Sequence, residues 1–347
     1  LLVGDLHVRL DNMEESRRVI KFIAKQCKET GATPIFLGDQ YDAMAIIRAE
    51  VLEFWVWAYS HINNALTGDE SRVSSVSLTG NHDMNSDCSA SAMSAHEKQT
   101  VVVSNFGHVP LKSSRNKEGE ILAIAYIRDN DKFIAAANAA HIQGYKYILC
   151  HAEFNGAQYE NGFYAPCGID IDKLPPLVFI SGHIHKRQRI TREGFAPADI
   201  RYIGTPRQLT RSDIGETKGL VLWDTNTNLF TQIPTPSDVA EPFQQITVTE
   251  DGPLETIPNS SRVYIDIRGS QSFIKKALKN MPESAKVRTF PDQERSPIEI
   301  KESDGIPKAF RSFAGKYFSG KGSDEATQKD VMSLVYEKCP VLRGNNV

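Results

Sequence analysis

Seven side chains that could bind metal ions follow short apolar segments of this chain. The set contains two carboxylates, one amide and four imidazoles: Asp5, His7, Asp39, Asn81, His151, His183 and His185. The segments before them have the composition of strands: Leu1–Val3, Pro34–Leu37, Val73–Leu78, Tyr147–Leu149 and Leu177–Ile180. Because the carboxyl ends of strands in an open α/β sheet share one rim, we expect these donors to converge in space.

The types of donor indicate a pair of divalent cations. One ion takes about four to six ligands, so seven converging side chains favour two ions that share a bridging carboxylate. Imidazole mixed with carboxylate suits Mn²⁺, Fe or Zn²⁺ better than Mg²⁺, which prefers oxygen and water. The five cysteines are scattered without a CxxC pair, which argues against a structural zinc site. Two cations about 3.5–4 Å apart activate a water and neutralise charge on a phosphoryl group. The set therefore predicts phosphoryl chemistry.

The segment "GNHD" (residues 80–83) places an amide beside an imidazole and a carboxylate. Asn81 can offer a neutral oxygen to a cation, which leaves His82 free to face a substrate. A single segment of this kind is more often a turn with a solvated carboxylate. The prediction therefore depends on all the segments taken together.

Helices alternate with the strands in the first half of the chain. Met13–Thr30 is predicted as a helix that ends at Gly31, and Ala45–Leu66 as a second helix. Two further strands are predicted at Arg201–Ile203 and Gly219–Trp223. This alternation predicts an α/β fold with βαβ crossovers and a sheet covered on both faces.

The composition of the chain changes after Asp224. Residues 234–242 are rich in Pro and polar, as linkers are. After them, "QITVTE", "RVYIDIRG", "SFIKKALKNM" and "SPIEIKE" predict a small α+β module, and two amphipathic helices follow from Gly305. The predicted domains are 1–235, 236–302 and 303–347.

The ordered segments "GDLH", "GDQYD", "GNHD", the isolated His151 and "GHIH" resemble the calcineurin-like metallophosphoesterase superfamily over residues 1 to about 224. The resemblance implies a β-sandwich flanked by helices. It also implies that one metal is held by Asp5, His7, Asp39 and His185. The other metal would be held by Asp39, Asn81, His151 and His183, with Asp39 as the bridge. His82 would contact the phosphate and act as general acid, and Asp83 would orient His82.

Two regions resemble the SbcD-type nuclease subunits within that superfamily, including those of large bacteriophages. Residues 201–224 are similar to the end of the nuclease domain in that group, and the α+β module with its helices is similar to the capping domain and ATPase-binding segment. The resemblance implies a Mn²⁺-dependent double-strand exonuclease and single-strand endonuclease in DNA recombination, repair or replication. It further implies a homodimer in the bacterial cytosol that works with an SbcC-like coiled-coil ABC ATPase.

Two residues depart from the superfamily pattern. Cys150 stands where Gly usually precedes the histidine, and we interpret it as a small buried apolar side chain. Ala43 stands where phosphomonoesterases of the protein-phosphatase branch carry Arg, which favours diester substrates.

Residues 186–211 hold seven basic and two acidic side chains. The candidate DNA contacts in this stretch are Lys186, Arg187, Arg189, Arg207 and Arg211. A solvated β-hairpin explains the stretch equally well. Phe310, Phe313 and Phe318 form an aromatic stripe that would bind a partner or fill a core.

The composition of the chain limits the alternatives. No apolar stretch approaches the ~18 residues of a membrane span, so no membrane association is expected. The scattered cysteines predict reduced thiols in a cytosolic setting. A net charge of −3 does not by itself indicate nucleic-acid binding. A metallophosphatase, or a nucleotide phosphodiesterase that acts on small molecules or phosphoproteins, is the main alternative. A scaffold without metals is a lesser one, because every donor is present.

Overall fold

A computed structural model describes residues 1–42, 44, 46–108, 121–165, 167–190, 198–252 and 257–292. The strands in these ranges are β1 Leu2–Val3, β2 Ile35–Phe36, β3 Val76–Leu78, β4 Val101–Val103, β5 Phe106–His108, β6 Ile121–Ile124, β7 Tyr147–His151, β8 Val178–Gly182, β9 Gln188–Ile190, β10 Asp199–Tyr202, β11 Gly219–Asp224, β12 Leu229–Pro234, β13 Gln244–Thr249, β14 Val263–Gly269 and β15 Lys286–Pro291. The helices are α1 Met13–Thr30, α2 Ala49–Thr67, α3 Asn130–Ile142 and α4 Gln271–Leu278. The chain is therefore of the α/β class, as predicted.

The first twelve strands form two mixed sheets. The first sheet has the order β12-β11-β1-β2-β3-β4, in which β1 to β4 are parallel and β11 runs antiparallel to both neighbours. The second has the order β5-β6-β7-β8-β10-β9, with β6, β7, β8 and β10 parallel. Its edge strands β5 and β9 are antiparallel. The third sheet has the order β13-β14-β15.

The two six-stranded sheets share a core. Leu2, Leu37 and Leu78 of the first sheet lie in one buried cluster with Leu149 and Ile180 of the second. The alternation of elements predicted a sheet covered on both faces, and the structure has two sheets that each bury one face against the other. Because successive strand residues point to opposite faces, each sheet can bury one face against helices and the other against its partner sheet.

The helices cover the outer faces of these two sheets. α1 and α2 pack with Val3 and Phe36 of the first sheet through Ile20 and Trp55. Similarly, α3 packs on the second sheet, where the buried Cys150 also lies. The interpretation of Cys150 as a buried apolar side chain is confirmed.

The predicted helix Met13–Thr30 is confirmed with both of its bounds. It ends at Gly31, whose φ of +69° favours glycine. The second helix begins at Ala49, four residues after the predicted start. The sequence patterns did not predict α3, β4, β5, β6, β9, β12 and β15. The predicted strand "SPIEIKE" and the two helices after Gly305 lie outside the described residues.

The described residues fall into two compact units. The larger comprises 1–248 apart from its gaps, 257–266 and 281–288, and the smaller comprises 249–252, 267–280 and 289–292. The domain boundaries after residues 235 and 302 stay predictions. Within the described ranges, no helix has the length and apolar character needed to cross a membrane.

His96 gives the larger unit a specific sensitivity to acid. Its side chain is fully buried, and the Tyr41 hydroxyl donates to its Nε2 across 2.5 Å. Burial lowers the pKa of His96 to about 4. Between about pH 6.5 and 4 the unfolded imidazole binds a proton that the folded one does not, so stability falls as the pH falls through this window.

We expect the free energy of unfolding to drop by about 2 kcal/mol more in the wild type than in His96→Gln between pH 7 and pH 4.5. Gln keeps an acceptor for Tyr41 and does not titrate. Urea unfolding of both proteins at the two pH values measures the difference. Equal pH dependence in the two proteins would show that His96 does not contribute.

Candidate metal centre

The predicted ligands lie at the carboxyl ends of β1, β2, β3, β7 and β8, so both six-stranded sheets contribute. His7, Asp39 and His183 adopt positive φ angles of 44°, 53° and 77°, which are uncommon for residues other than glycine. This backbone geometry turns their side chains towards one another. A Cβ at Gly80 would contact the Asp39 carboxylate, and one at Gly38 would contact the His151 ring. The glycines of these motifs therefore allow the close approach.

Asp39 occupies the middle of the site. Its Oδ1 accepts a hydrogen bond from the backbone N–H of His82 at 2.8 Å. Its Oδ2 lies 3.6 Å from His7 Nε2 and 3.3 Å from His151 Nε2. Possible ligand atoms within 4.8 Å of one another form three groups: Asp5, His7 and His185; His7, Asp39 and His82; and Asp39, His151 and His183. Asp39 thus contacts the imidazoles on both sides, as a bridging ligand would.

The donor atoms of one side suit a cation. His151 Nδ1 donates to the Leu37 carbonyl at 2.7 Å, which leaves a lone pair on Nε2. That Nε2 lies 3.0 Å from Asn81 Oδ1 and 3.2 Å from His183 Nδ1, and Asn81 Oδ1 lies 3.0 Å from the same His183 atom. Three acceptor-type atoms this close repel one another unless a proton or a cation lies between them.

The other side has the same character. His7 Nε2 and His185 Nε2 are 3.1 Å apart, and His7 Nδ1 lies 3.4 Å from Asp42 Oδ1. Asp5 Oδ1 accepts from the backbone N–H of His183 at 2.9 Å. Its Oδ2 is buried and has no hydrogen-bond partner among the described residues. A buried carboxylate oxygen without a donor is costly, and a cation would satisfy it. The residues present therefore fit a pair of divalent ions.

The electrostatics of the site reflect its burial. Burial raises the pKa of Asp5. Burial alone would also raise the pKa of Asp39, but His151, His7 and His82 together outweigh burial and hold that pKa well below its usual range. Burial alone would lower the pKa of His151, but Asp39, Asp5 and the Leu37 carbonyl together outweigh burial and raise the pKa of that imidazole to about 9. Burial, with His7 next in size, lowers the pKa of His185 well below its ordinary value.

His82 borders the cleft, and two contacts orient its ring. Its Nδ1 donates to the backbone carbonyl of Asp42 at 2.7 Å, and its ring packs edge-on against His7 with centroids 4.7 Å apart. The bond at Nδ1 leaves Nε2 available to a substrate. The position fits the predicted general acid.

The role that we expected for Asp83 needs correction. Its Oδ1 accepts from the backbone N–H of Tyr41 at 3.0 Å, and its Oδ2 accepts from that of Gly80 at 2.8 Å. Both oxygens therefore join the two loops that carry Asp39 and Asn81. The His82 ring is held by the Asp42 carbonyl instead.

Three residues of the site carry no signal of their own in the sequence. Asp42 contacts His7 through its carboxylate and His82 through its carbonyl. Glu153 Oε2 lies 3.6 Å from His183 Nε2 and accepts from the Tyr159 hydroxyl at 2.5 Å. Tyr126 stacks on the His183 ring with centroids 6.4 Å apart. "GDQYD" contains Asp42, but the motif does not show that its carboxylate and carbonyl reach His7 and His82.

A cleft of about 580 Å³ opens from the metal centre. Its lining includes His7, Asp39, His82 and His185. Five basic side chains also line it: Arg9, Arg18, Arg207, Arg262 and Lys286. Acidic side chains also line it: Asp11, Glu14, Glu15 and Glu241. The cleft is therefore polar and of mixed charge.

The structure separates the five candidate DNA contacts into two groups. Arg207 is buried and donates to Glu15 at 2.7 Å, so its charge is compensated inside the protein and the structure does not support it as a free DNA contact. Arg189 pairs with Asp199, and Arg211 pairs with Asp266. Lys186 and Arg187 bond only neutral side chains among the described residues, namely Gln158 and Gln232. The basic excess is therefore smaller than the sequence suggests.

Glu15 compensates two arginines at the cleft. The Glu15 carboxylate forms ion pairs with Arg207 and Arg262, and only 7% of the Glu15 surface is exposed. Removing one partner of a buried pair leaves charge without compensation. We expect Glu15→Ala to lower the free energy of unfolding by about 3–5 kcal/mol in urea denaturation. The exposed neighbour Glu14→Ala is the matched control and is expected to change it by less than about 0.5 kcal/mol. Equal effects of the two variants would contradict this role.

Comparison with known proteins adds no assignment. Neither a scan against protein-family models nor a search of curated proteins finds a match for this chain. The functional interpretation therefore depends on the residues and distances given above.

Proposed function

We propose that this chain is a two-metal phosphodiesterase of the calcineurin-like metallophosphoesterase type that hydrolyses DNA. The observation that carries the proposal is the position of Asp39, whose carboxylate lies between imidazoles of two donor groups. One cation would be held by Asp5, His7, Asp39 and His185. The other would be held by Asp39, Asn81, His151 and His183. Manganese suits this mixed set of oxygen and imidazole donors.

The residues of the chain divide the chemistry between them. When bound, the two cations supply a polarised water and neutralise charge on the phosphoryl group. His82 presents its Nε2 to the oxygen that leaves phosphorus and donates a proton to it, while Asp42 keeps the ring oriented through Nδ1. The bond between phosphorus and the 3′ oxygen breaks as the water oxygen bonds to phosphorus and the water gives up one proton to the solvent. Asp83 keeps the two ligand-bearing loops in register.

The substrate and partners follow from the resemblance to SbcD-type subunits. The chain would degrade double-stranded ends and cut single strands in DNA recombination, repair or replication, as a homodimer with an SbcC-like ABC ATPase in the bacterial cytosol. Residues 1–235 would form the β-sandwich domain of that superfamily, and a capping domain would follow. Lys186 and Arg187 support a phosphate backbone as substrate, because their charges have no acidic partner among the described residues.

One observation favours the alternative, a phosphatase or phosphodiesterase for small substrates. Three of the five candidate DNA contacts form ion pairs within the protein. Turnover of linear duplex DNA and of p-nitrophenyl phosphate with Mn²⁺ distinguishes the two functions. We expect strong hydrolysis of DNA and weak hydrolysis of the monoester. The reverse ratio would support the alternative.

A further inference from the structure

Two neighbouring aromatic side chains are exposed on a loop beside the metal centre. Phe163 is 72% exposed and Tyr164 is 65% exposed. Most large aromatic residues of the described ranges are buried in the cores instead. Exposing two consecutive aromatic rings costs hydrophobic stabilisation unless they have a ligand.

The loop that carries these rings, residues 155–165, is a tight hairpin, which we call the aromatic hairpin. The Tyr159 N–H donates to the Phe163 carbonyl at 2.8 Å, and the Ala165 N–H donates to the Ala157 carbonyl at 2.7 Å. Gln158 and Tyr164 pair across it as a β-bridge. Its backbone hydrogen bonds therefore order the part of the chain that carries the two rings before any ligand binds.

The aromatic hairpin is connected to the metal centre by side chains. Tyr159 donates to Glu153, whose carboxylate faces the ligand His183. The root of the hairpin is joined to the strand after His185, because the Gln158 N–H donates to Gln188 Oε1 at 2.8 Å and Gln188 Nε2 donates back to the Gln158 carbonyl at 2.6 Å. The backbone of the hairpin is thus anchored to the elements that carry His183 and His185.

Positive charge lies at the root of the hairpin. Lys186 donates to Gln158 Oε1 at 2.6 Å, and the next residue, Arg187, donates to Gln232 on β12 at 3.3 Å. Neither has an acidic partner among the described residues. Exposed aromatic rings beside cations without acidic partners are the combination that single-stranded nucleic acid binds, with bases on the rings and phosphates at the cations.

We propose that the aromatic hairpin is a stacking platform for unpaired bases, with Phe163 and Tyr164 as the stacking rings and Lys186 and Arg187 as phosphate contacts. This inference deepens the proposed function, on which it depends, by naming the single-stranded part of the substrate. A strand that is cut at the metal centre would extend its unpaired bases over the hairpin.

The test compares two oligonucleotide probes on the full chain. Fluorescence anisotropy in EDTA, where no cleavage occurs, measures the affinity for a labelled oligothymidylate and for an abasic strand of the same length. Replacing both rings by Phe163→Ala and Tyr164→Ala should weaken oligothymidylate binding at least about fivefold, since stacking on one ring is worth that much. Binding of the abasic strand should be unchanged. Tryptophan at both positions should restore binding, and Phe106→Ala, which removes an exposed ring on β5, should have no effect.

The outcomes separate this inference from the proposed function. Hydrolysis of bis(p-nitrophenyl) phosphate with Mn²⁺ should be the same in the wild type and the double variant, because that substrate has no bases. If both proteins hydrolyse it and bind oligothymidylate equally well, the stacking platform is wrong and the phosphodiesterase stands. If the variant instead changes the molar mass in sedimentation but not the affinity, the rings form a contact between protein copies and the inference is overturned. If the wild type hydrolyses neither DNA nor the diester, the proposed function fails.

Discussion

Asp39→Ala is expected to remove both cations at once and to reduce DNA hydrolysis by about 10³-fold or more, since the Lewis-acid contribution is worth several kcal/mol. The physical reason is that one oxygen of Asp39, Oδ2, lies close to the Nε2 atoms of His7 and His151, which belong to different donor groups. Isothermal titration with Mn²⁺ gives the number of ions bound, and digestion of linear duplex DNA gives the rate.

Two controls make the Asp39 result specific. Asp39→Asn keeps the shape of the side chain, so it separates loss of charge from loss of packing. Asp69→Ala removes an exposed acid far from the motifs in sequence and should bind manganese as the wild type does. If Asp39→Ala retained one fully occupied ion, the bridging role would be ruled out.

The second large effect is expected at His82. His82→Ala should bind both cations nearly as the wild type does and should lower the turnover of DNA by roughly 10²–10⁴, the usual contribution of general acid catalysis. His82 lies in one of the three donor groups, but its Nδ1 is occupied by the Asp42 carbonyl and it borders the cleft. His141→Ala on α3 is an exposed control.

The leaving group provides a sharper test of the same role. p-Nitrophenolate departs without a proton, so His82→Ala should lose much less activity on bis(p-nitrophenyl) phosphate than on DNA. Equal losses on the two substrates would contradict the role of proton donor. Loss of manganese from the variant would instead make His82 a ligand.

The metal site was predictable from the sequence because each of its motifs consists of a few consecutive residues beside an apolar strand. Each donor lies at the end of a buried strand or within a few residues after it, and the turns at Gly38 and Gly80 are too crowded for another side chain. The roles of Asp83 and Arg207 were not predictable. Their partners, Tyr41 and Glu15, are set by tertiary packing, and neither pair has a fixed spacing that a motif could show.

The fold was predictable only in its class and in its strongest elements. Helix α1 has a clear apolar face and a glycine stop, and its bounds were predicted correctly. Helix α3 was not predicted because its own alanines are distributed over all of its faces, so the sequence shows no clear apolar face. The division into two sheets depends on long-range pairing such as Leu2 with Val221, which no local pattern contains.

Anomalous diffraction from crystals soaked in Mn²⁺ tests the central claim most directly. Two manganese peaks are expected, with the Asp39 carboxylate in contact with both, Asp5, His7 and His185 around one, and Asn81, His151 and His183 around the other. A single peak, or two peaks without Asp39 between them, would contradict the account.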